Sequence, residues 1–298
     1  LTYFEYGTLA AFVVFAAADL DVWLLEVGMG GRLDATNVVE PTAALITNVA
    51  LDHCAWLGEN VEAIAAEKAG IMRSGVPVVY GGLEVPQAIV RHADEIGARL
   101  LLRDRDYSLD GIPQPGLPGA FQVGNAAAVV ALLDAAGLEA AVDEELLARV
   151  LPAVRLAGRG QRIEQRGVQW LLDVAHNPAA AMQVGELLAA ELCAGSTIAV
   201  VGMLDDKDVE GIVAPLDEHV DLWIAMAADS PRSIPAAELA RRIANASNRP
   251  CLVAPALADA LQAAQHEVSA GDRILVAGSF YVVGPALRAL GLYSPPKS

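Results

Sequence analysis

Lysine is nearly missing from this 298-residue chain, which holds only Lys68, Lys207 and Lys297. None of the three stands in a G-x-x-x-x-G-K-[ST] setting, so no phosphate loop of that pattern is present. Cysteine is scarce too, at three dispersed positions, Cys54, Cys193 and Cys251. An odd, scattered set fits reduced thiols better than a disulfide framework. No C-x-x-C pair, H-E-x-x-H zinc pair or G-x-S-x-G nucleophile elbow occurs. No basic leader with a cleavage site opens the chain. The longest apolar run near the start, Leu9–Ala18, has ten residues, against roughly 20 for a membrane-spanning helix. Basic residues are outnumbered 20 to 37, for a formal charge of −17. That balance argues against general nucleic-acid binding, which needs clustered Lys and Arg to displace counterions. An anionic ligand would have to be held by a local positive feature: a helix N-terminus, a metal or a well-placed Arg.

What the chain does contain is apolar. Hydrophobic residues make up 54%, and mean hydropathy is +0.40, which excludes disorder. The length suits two domains of about 150 residues each. The pattern predicts a helix over Leu1–Ala18 and a strand over Asp21–Val27 entering the turn Gly28–Gly31. Further strands are expected over Thr42–Val49 and Val76–Tyr80, with a helix over Val61–Arg73 between them. Arg103–Gly119 reads as irregular, and Gly124–Ala136 and Glu144–Leu151 as helices. The second half alternates more cleanly. Strands are expected over Gln169–Asp173, Thr197–Met203, Asp221–Ala225, Cys251–Ala254 and Arg273–Ala277. Helices over Ala179–Leu192, Val209–Leu216, Ala236–Asn245 and Leu257–Val268 lie between them. Such alternation builds a mostly parallel sheet covered on both faces. The expected fold class is therefore α/β, with two doubly wound, mostly parallel-sheet domains, 1–153 and 154–298, divided near Pro152–Gly158.

Chemistry gathers at the carboxyl ends of strands in such sheets. The run from Glu26 to Asn37 follows the first expected strand. It fails as a dinucleotide fingerprint, since Leu33 stands where the third glycine would fall. Glu26 is costly to bury there unless it is paired or bound to a metal; a strand-end acid capping a nearby amide is the plainer alternative. Leu51-Asp-His53 closes the second strand, and His53 with Glu26 could hold a divalent cation, although one imidazole is unusual for magnesium. Lys68 lies in an alanine-rich helix. Either it is an ordinary solvated lysine, or its amine is half-buried, loses its proton more readily and takes up carbon dioxide as a carbamate. Arg159, between Gly158 and Gly160 at the expected boundary, suits phosphate by its fork of donors; a flexible basic linker is the alternative. Asp173 and His176 share the short turn before Pro178, a residue favoured in a first helical turn, with Asn177 as an N-cap candidate.

Together these stretches resemble the dihydrofolate synthase/folylpolyglutamate synthase family of Mur-ligase-type amide ligases. The resemblance is carried by Leu1–Tyr6, Glu26–Asn37, Leu51–His53, Ala65–Ile71, Gly158–Gln161, Asp173–Pro178 and Ala277–Tyr281, almost the whole chain. At the hinge motif Ala157 and Gly160 depart from the family's proline and aromatic residue. Family members also carry a preceding segment with a glycine-rich phosphate loop, so the resemblance implies the later part of a central ATPase domain followed by a Rossmann-like C-terminal domain. It implies an ATP-dependent ligase that adds L-glutamate to a folate or dihydropteroate carboxylate through an acyl phosphate. By the same resemblance Glu26 and His53 would ligate Mg2+, and Lys68, carbamylated, would serve catalysis by positioning a second ion. Asn125, Arg159 and Asp173 would contact ATP. His176 would orient the amino acid or the phosphates, and Asp34 would touch the pterin-bearing substrate. A cytoplasmic monomer handling small molecules, not nucleic acid or membrane, is expected. Another Mur-type amino-acid ligase, or a non-catalytic chain without the phosphate loop, are the alternatives.

Overall fold

The computed structural model describes residues 1–191 and 193–293. Leu192, at the end of one expected helix, and Lys297 lie outside the described residues. The chain divides into two compact units, but not at a single cut: Leu1–Pro113 with Val123–Val150 form one, and Gln114–Gln122 with Leu151–Ser298 form the other. The stretch 114–122 joins the second unit because the Gly116 N–H donates to Leu151 O (2.9 Å) and Pro118 packs on Gly160.

The first unit runs α1 (Tyr3–Ala17), β1 (Ala44–Ile46), α2 (Cys54–Leu57), α3 (Val61–Ala69), β2 (Pro77–Tyr80), α4 (Gln87–Ile96) and β3 (Arg99–Leu102). It ends with most of α5 (Phe121–Ala135) and with α6 (Glu144–Val150). Its three strands pair in parallel, in the order β1-β2-β3. Their core is built with Ala65, Ala69 and Met72 from α3 and the turn beyond it, and with Ala88, Ile89 and Ala93 from α4. Asn60 starts α3 by accepting from the Ala63 N–H at 2.9 Å, an N-cap that satisfies one orphan donor of the first turn.

The expected strand Asp21–Val27 does not form. The segment is extended, but no ladder pairs it among the described residues, and Leu24 is 89% exposed. An alternating apolar pattern makes a strand only where a neighbour satisfies its backbone groups. The expected strand Thr42–Val49 shortens, for the same reason, to the three residues that pair with β2.

The second unit runs β4 (Gln161–Gln165), β5 (Val168–Leu172), α7 (Pro178–Ala190), β6 (Thr197–Val201), α8 (Val209–Val213), β7 (Leu222–Met226), α9 (Ala236–Ala246), β8 (Cys251–Ala254), α10 (Leu257–Glu267), β9 (Arg273–Ala277) and α11 (Phe280–Ala289). Its sheet has the order β4-β5-β9-β6-β7-β8, parallel except for the β4–β5 hairpin. Side chains alternate along each strand. Leu275 and Ala277 of β9 face a core with α7, α8 and α9, whereas Ile274 and Val276 face one with α10 and α11. Adjacent strands β5 and β9 therefore lead into helices on opposite faces, which opens a crevice at their carboxyl ends.

Candidate active site

In the first unit, the glycine turn after Glu26 is built by Asp34. One Asp34 oxygen accepts from the N–H groups of Gly28 (2.9 Å) and Met29 (3.1 Å); the other accepts from the Thr36 N–H (2.9 Å) and hydroxyl (2.8 Å). Both oxygens are thus occupied inside the loop. Gly30 is left-handed at φ +64°, and a Cβ there would lie 2.7 Å from Leu57 of α2. A Cβ on Gly31 would meet the carbonyl oxygens of Glu67 and Lys68 at 3.1 Å, and one on Gly70 would stand 2.6 Å from Arg32 Cα. Arg32 pairs with Glu67 at 2.9 Å, and the Asn37 amide donates to Gly70 O at 3.0 Å. The Glu26–Asn37 run and the Glu67–Gly70 turn are therefore one interlocked piece, and α2 leans on the same turn.

This packing brings the segments carrying Glu26, His53 and Lys68 together. Glu26 is exposed at the end of its extended segment. His53 precedes α2 in a left-handed conformation at φ +52°, its N–H donating to Asp52 at 2.8 Å. That is the left-handed well, which histidine adopts more readily than most non-glycine residues, and it turns the chain into α2. Lys68 is half-buried, and burial pulls its amine below the ordinary 10.5, opposed by the charge of Asp52. Among the described residues no three or more His, Cys, Asp and Glu side chains form a group able to hold a metal by themselves. Glu26 offers a carboxylate and His53 an imidazole there, fewer donors than an all-protein cage, so a cation held by them would take water or substrate oxygens as its further ligands. Asn125 is exposed early in α5, beside the buried Gly124.

In the second unit, Arg159, Asp173 and His176 meet at the β5/β9 crevice. Gly158 and Gly160 are both left-handed, at φ +69° and +55°, so the loop doubles back, and the Gly160 N–H donates to Asp173 at 2.6 Å. The other Asp173 oxygen accepts from the Ala175 N–H at 2.8 Å. Burial pushes the Asp173 carboxyl above the ordinary 3.8, against the pull of those two N–H groups, Arg159 and His176. The His176 Nδ1 sits 2.8 Å from Val174 O. Asn177 caps α7 through the Ala180 N–H at 2.8 Å, with Pro178 in the first turn. Ser279, after the left-handed Gly278, caps α11. The ring of Phe280 completes the corner, 5.5 Å from the Arg159 guanidinium and 6.0 Å from the His176 ring. Sequence reasoning missed Asp52 as the charge facing Lys68 and Phe280 as the ring between Arg159 and His176. An exposed aromatic directly after a capping serine at a strand end was the available signal for Phe280.

The model of the Mur ligase, glutamate ligase domain matches residues 158–280, which includes this whole corner. The dihydrofolate synthase/folylpolyglutamate synthase of Escherichia coli K12 is 39% identical, the match covering 97% of this chain and 70% of that protein. The chain belongs to the dihydrofolate synthase/folylpolyglutamate synthase family. Solved members of the family share its fold. The bifunctional enzyme of Yersinia pestis, complexed with AMPPNP and Mn ion, is 39% identical with a TM-score of 0.87, over 98% of this chain and 72% of that one. The Mycobacterium tuberculosis folylpolyglutamate synthase, complexed with ADP and AMPPCP, is 30% identical with a TM-score of 0.88, over 99% of this chain and 74% of that one.

Proposed function

We propose that this member of the family is an ATP-dependent ligase that joins L-glutamate to the carboxylate of dihydropteroate or of a folate. A carboxylate is a poor acyl donor. Its oxygen attacks the γ-phosphorus of ATP, ADP leaves, and an acyl phosphate results. The glutamate amine, having given up its proton, attacks the acyl carbon, and phosphate departs with the former carboxylate oxygen. The protein's part is alignment and neutralisation of charge rather than covalent help.

Glu26 and His53 are assigned to Mg2+, which supplies positive charge beside the phosphates when bound. Lys68 is assigned as the catalytic lysine, its amine adding carbon dioxide and losing a proton to become a carbamate. The observation that carries this reading is the depressed, half-buried Lys68 amine on the turn that interlocks with the Glu26 loop. Asn125, Arg159 and Asp173 are assigned to ATP, and His176 to the incoming glutamate or the phosphates. Asp34 is assigned to shaping the loop, because its oxygens are already taken; contact with the pterin-bearing substrate would use the backbone that it arranges. By this reading the first unit is the later part of the ATPase domain and the second the glutamate-ligase domain. We further assign a cytoplasmic, monomeric protein with small-molecule partners only. Three free thiols favour a reducing compartment, and a charge of −17 speaks against nucleic-acid partners.

The test is a panel of acids given to the enzyme at its full encoded length with ATP, Mg2+ and L-glutamate. ADP release tied to amide formation is expected with dihydropteroate, tetrahydrofolate or both. Turnover of a muramyl precursor instead would assign it to another Mur-type reaction, and no ATP-dependent turnover with any acid would leave it without this activity.

A further inference from the structure

We propose that Phe280 is a positioning residue, whose ring fixes the Arg159 guanidinium and the His176 imidazole relative to one another and so sets where the bound anion is held. This rests on the reading of Arg159 as a nucleotide contact. The ring stands 5.5 Å from the guanidinium carbon and 6.0 Å from the imidazole, tilted by 48°. Packing does not explain it: the ring is 57% exposed, while Val282, Val283 and Ala286 of the same helix supply the core contacts.

Asp173 is oriented by the loop itself: its oxygens accept the N–H groups of Gly160 and Ala175, and Arg159 and His176 both act on its charge. A long side chain on a loop between two left-handed glycines has many rotamers open to it. An aromatic face is a surface on which a planar guanidinium settles in one orientation. The ring also lines a cavity of about 360 Å³ with Tyr281, Arg288 and Tyr293.

The experiment is a double-mutant cycle on ADP affinity, measured by calorimetry in the full-length enzyme. Phe280→Leu keeps an apolar side chain but removes the aromatic face, and is expected to weaken ADP by about threefold to tenfold, the range of a partly exposed cation–π contact. Phe280→Trp should restore wild-type affinity. In an Arg159→Met background Phe280→Leu should have no further effect, with the thermal midpoint unchanged throughout. An undiminished effect in that background, or unaltered ADP affinity in a folded Phe280→Leu enzyme, overturns the proposal. If Arg159→Met by itself leaves ADP affinity unchanged, the nucleotide reading of Arg159 fails instead. The role of the ring is then decided on His176, whose imidazole proton resonances must move in Phe280→Leu; unmoved resonances overturn it.

Discussion

Lys68 shows how one side chain changes character with its setting. In water a lysine amine is cationic and inert toward carbon dioxide. Here burial favours the neutral form, and Asp52 only partly opposes it. Lys68→Ala is expected to lower kcat in the ligase reaction by at least about two orders of magnitude, the scale of losing charge stabilisation in the transition state. Steady-state rates measure it, and near-wild-type turnover would return Lys68 to an ordinary helix lysine. An independent readout needs no turnover: 13C-labelled bicarbonate should produce a carbamate carbon resonance in the wild type and none in Lys68→Ala.

At the scale of elements, the first-unit site depends on how closely two backbones approach. A methyl group on Gly70 would stand 2.6 Å from Arg32 Cα. Gly70→Ala should therefore destabilise the protein by about 1–3 kcal/mol through overpacking, seen as a lower urea midpoint with an unchanged slope. In the second unit, α8 and α9 are tied by Glu210 and Arg242 at 2.7 Å. Hydrogen bonding from Arg242 holds the Glu210 carboxyl below the ordinary 4.5. A carboxyl lowered on folding contributes stability that is present above 4.5 and is lost as pH falls through its native value. The pair is partly exposed, so the contribution is about 0.2–1 kcal/mol. Arg242→Met should flatten that part of the acid-side stability curve, and an unchanged slope would contradict it.

How much of this was legible in the residues depended on where their partners lay. Buried strands announce themselves as short apolar runs between helical patterns: Arg273–Ala277 forms with the expected bounds, and the expected Thr197–Met203 forms over Thr197–Val201. The extended segment at Asp21–Val27 had the same look but no ladder. β4 does not stand out in the sequence, because its residues are mostly polar. Its signal was the Arg166-Gly167 pair, left-handed at φ +55° and +77°, as a tight two-residue hairpin requires. In the α4–β3 pair the sequence signal is the face of α4 marked by Ala88, Ile89 and Ala93. In the candidate site, the rarity of lysine and an alanine-rich helix single out Lys68, and a strand end singles out Asp173 and His176. That Glu26–Asn37 and Glu67–Gly70 interlock could not be read from the chain, because their contact joins residues more than thirty positions apart.

For the whole molecule, each unit presents a distinct kind of help. The first offers a carboxylate, an imidazole and a desolvated amine on interlocked segments. The second offers an exposed Arg159 steadied by an aromatic ring at the switch point of its sheet. In a chain with so strong a negative charge, these local features are what would let polyanionic reactants bind. Under the proposed function, charge neutralisation and alignment at phosphate serve to form an acyl phosphate as the activated species. The most direct test follows the oxygen. With the acid substrate labelled with 18O in its carboxylate, and with ATP and L-glutamate, the full-length enzyme should release inorganic phosphate carrying one labelled oxygen for every amide formed. Amide formation with unlabelled phosphate would contradict that route.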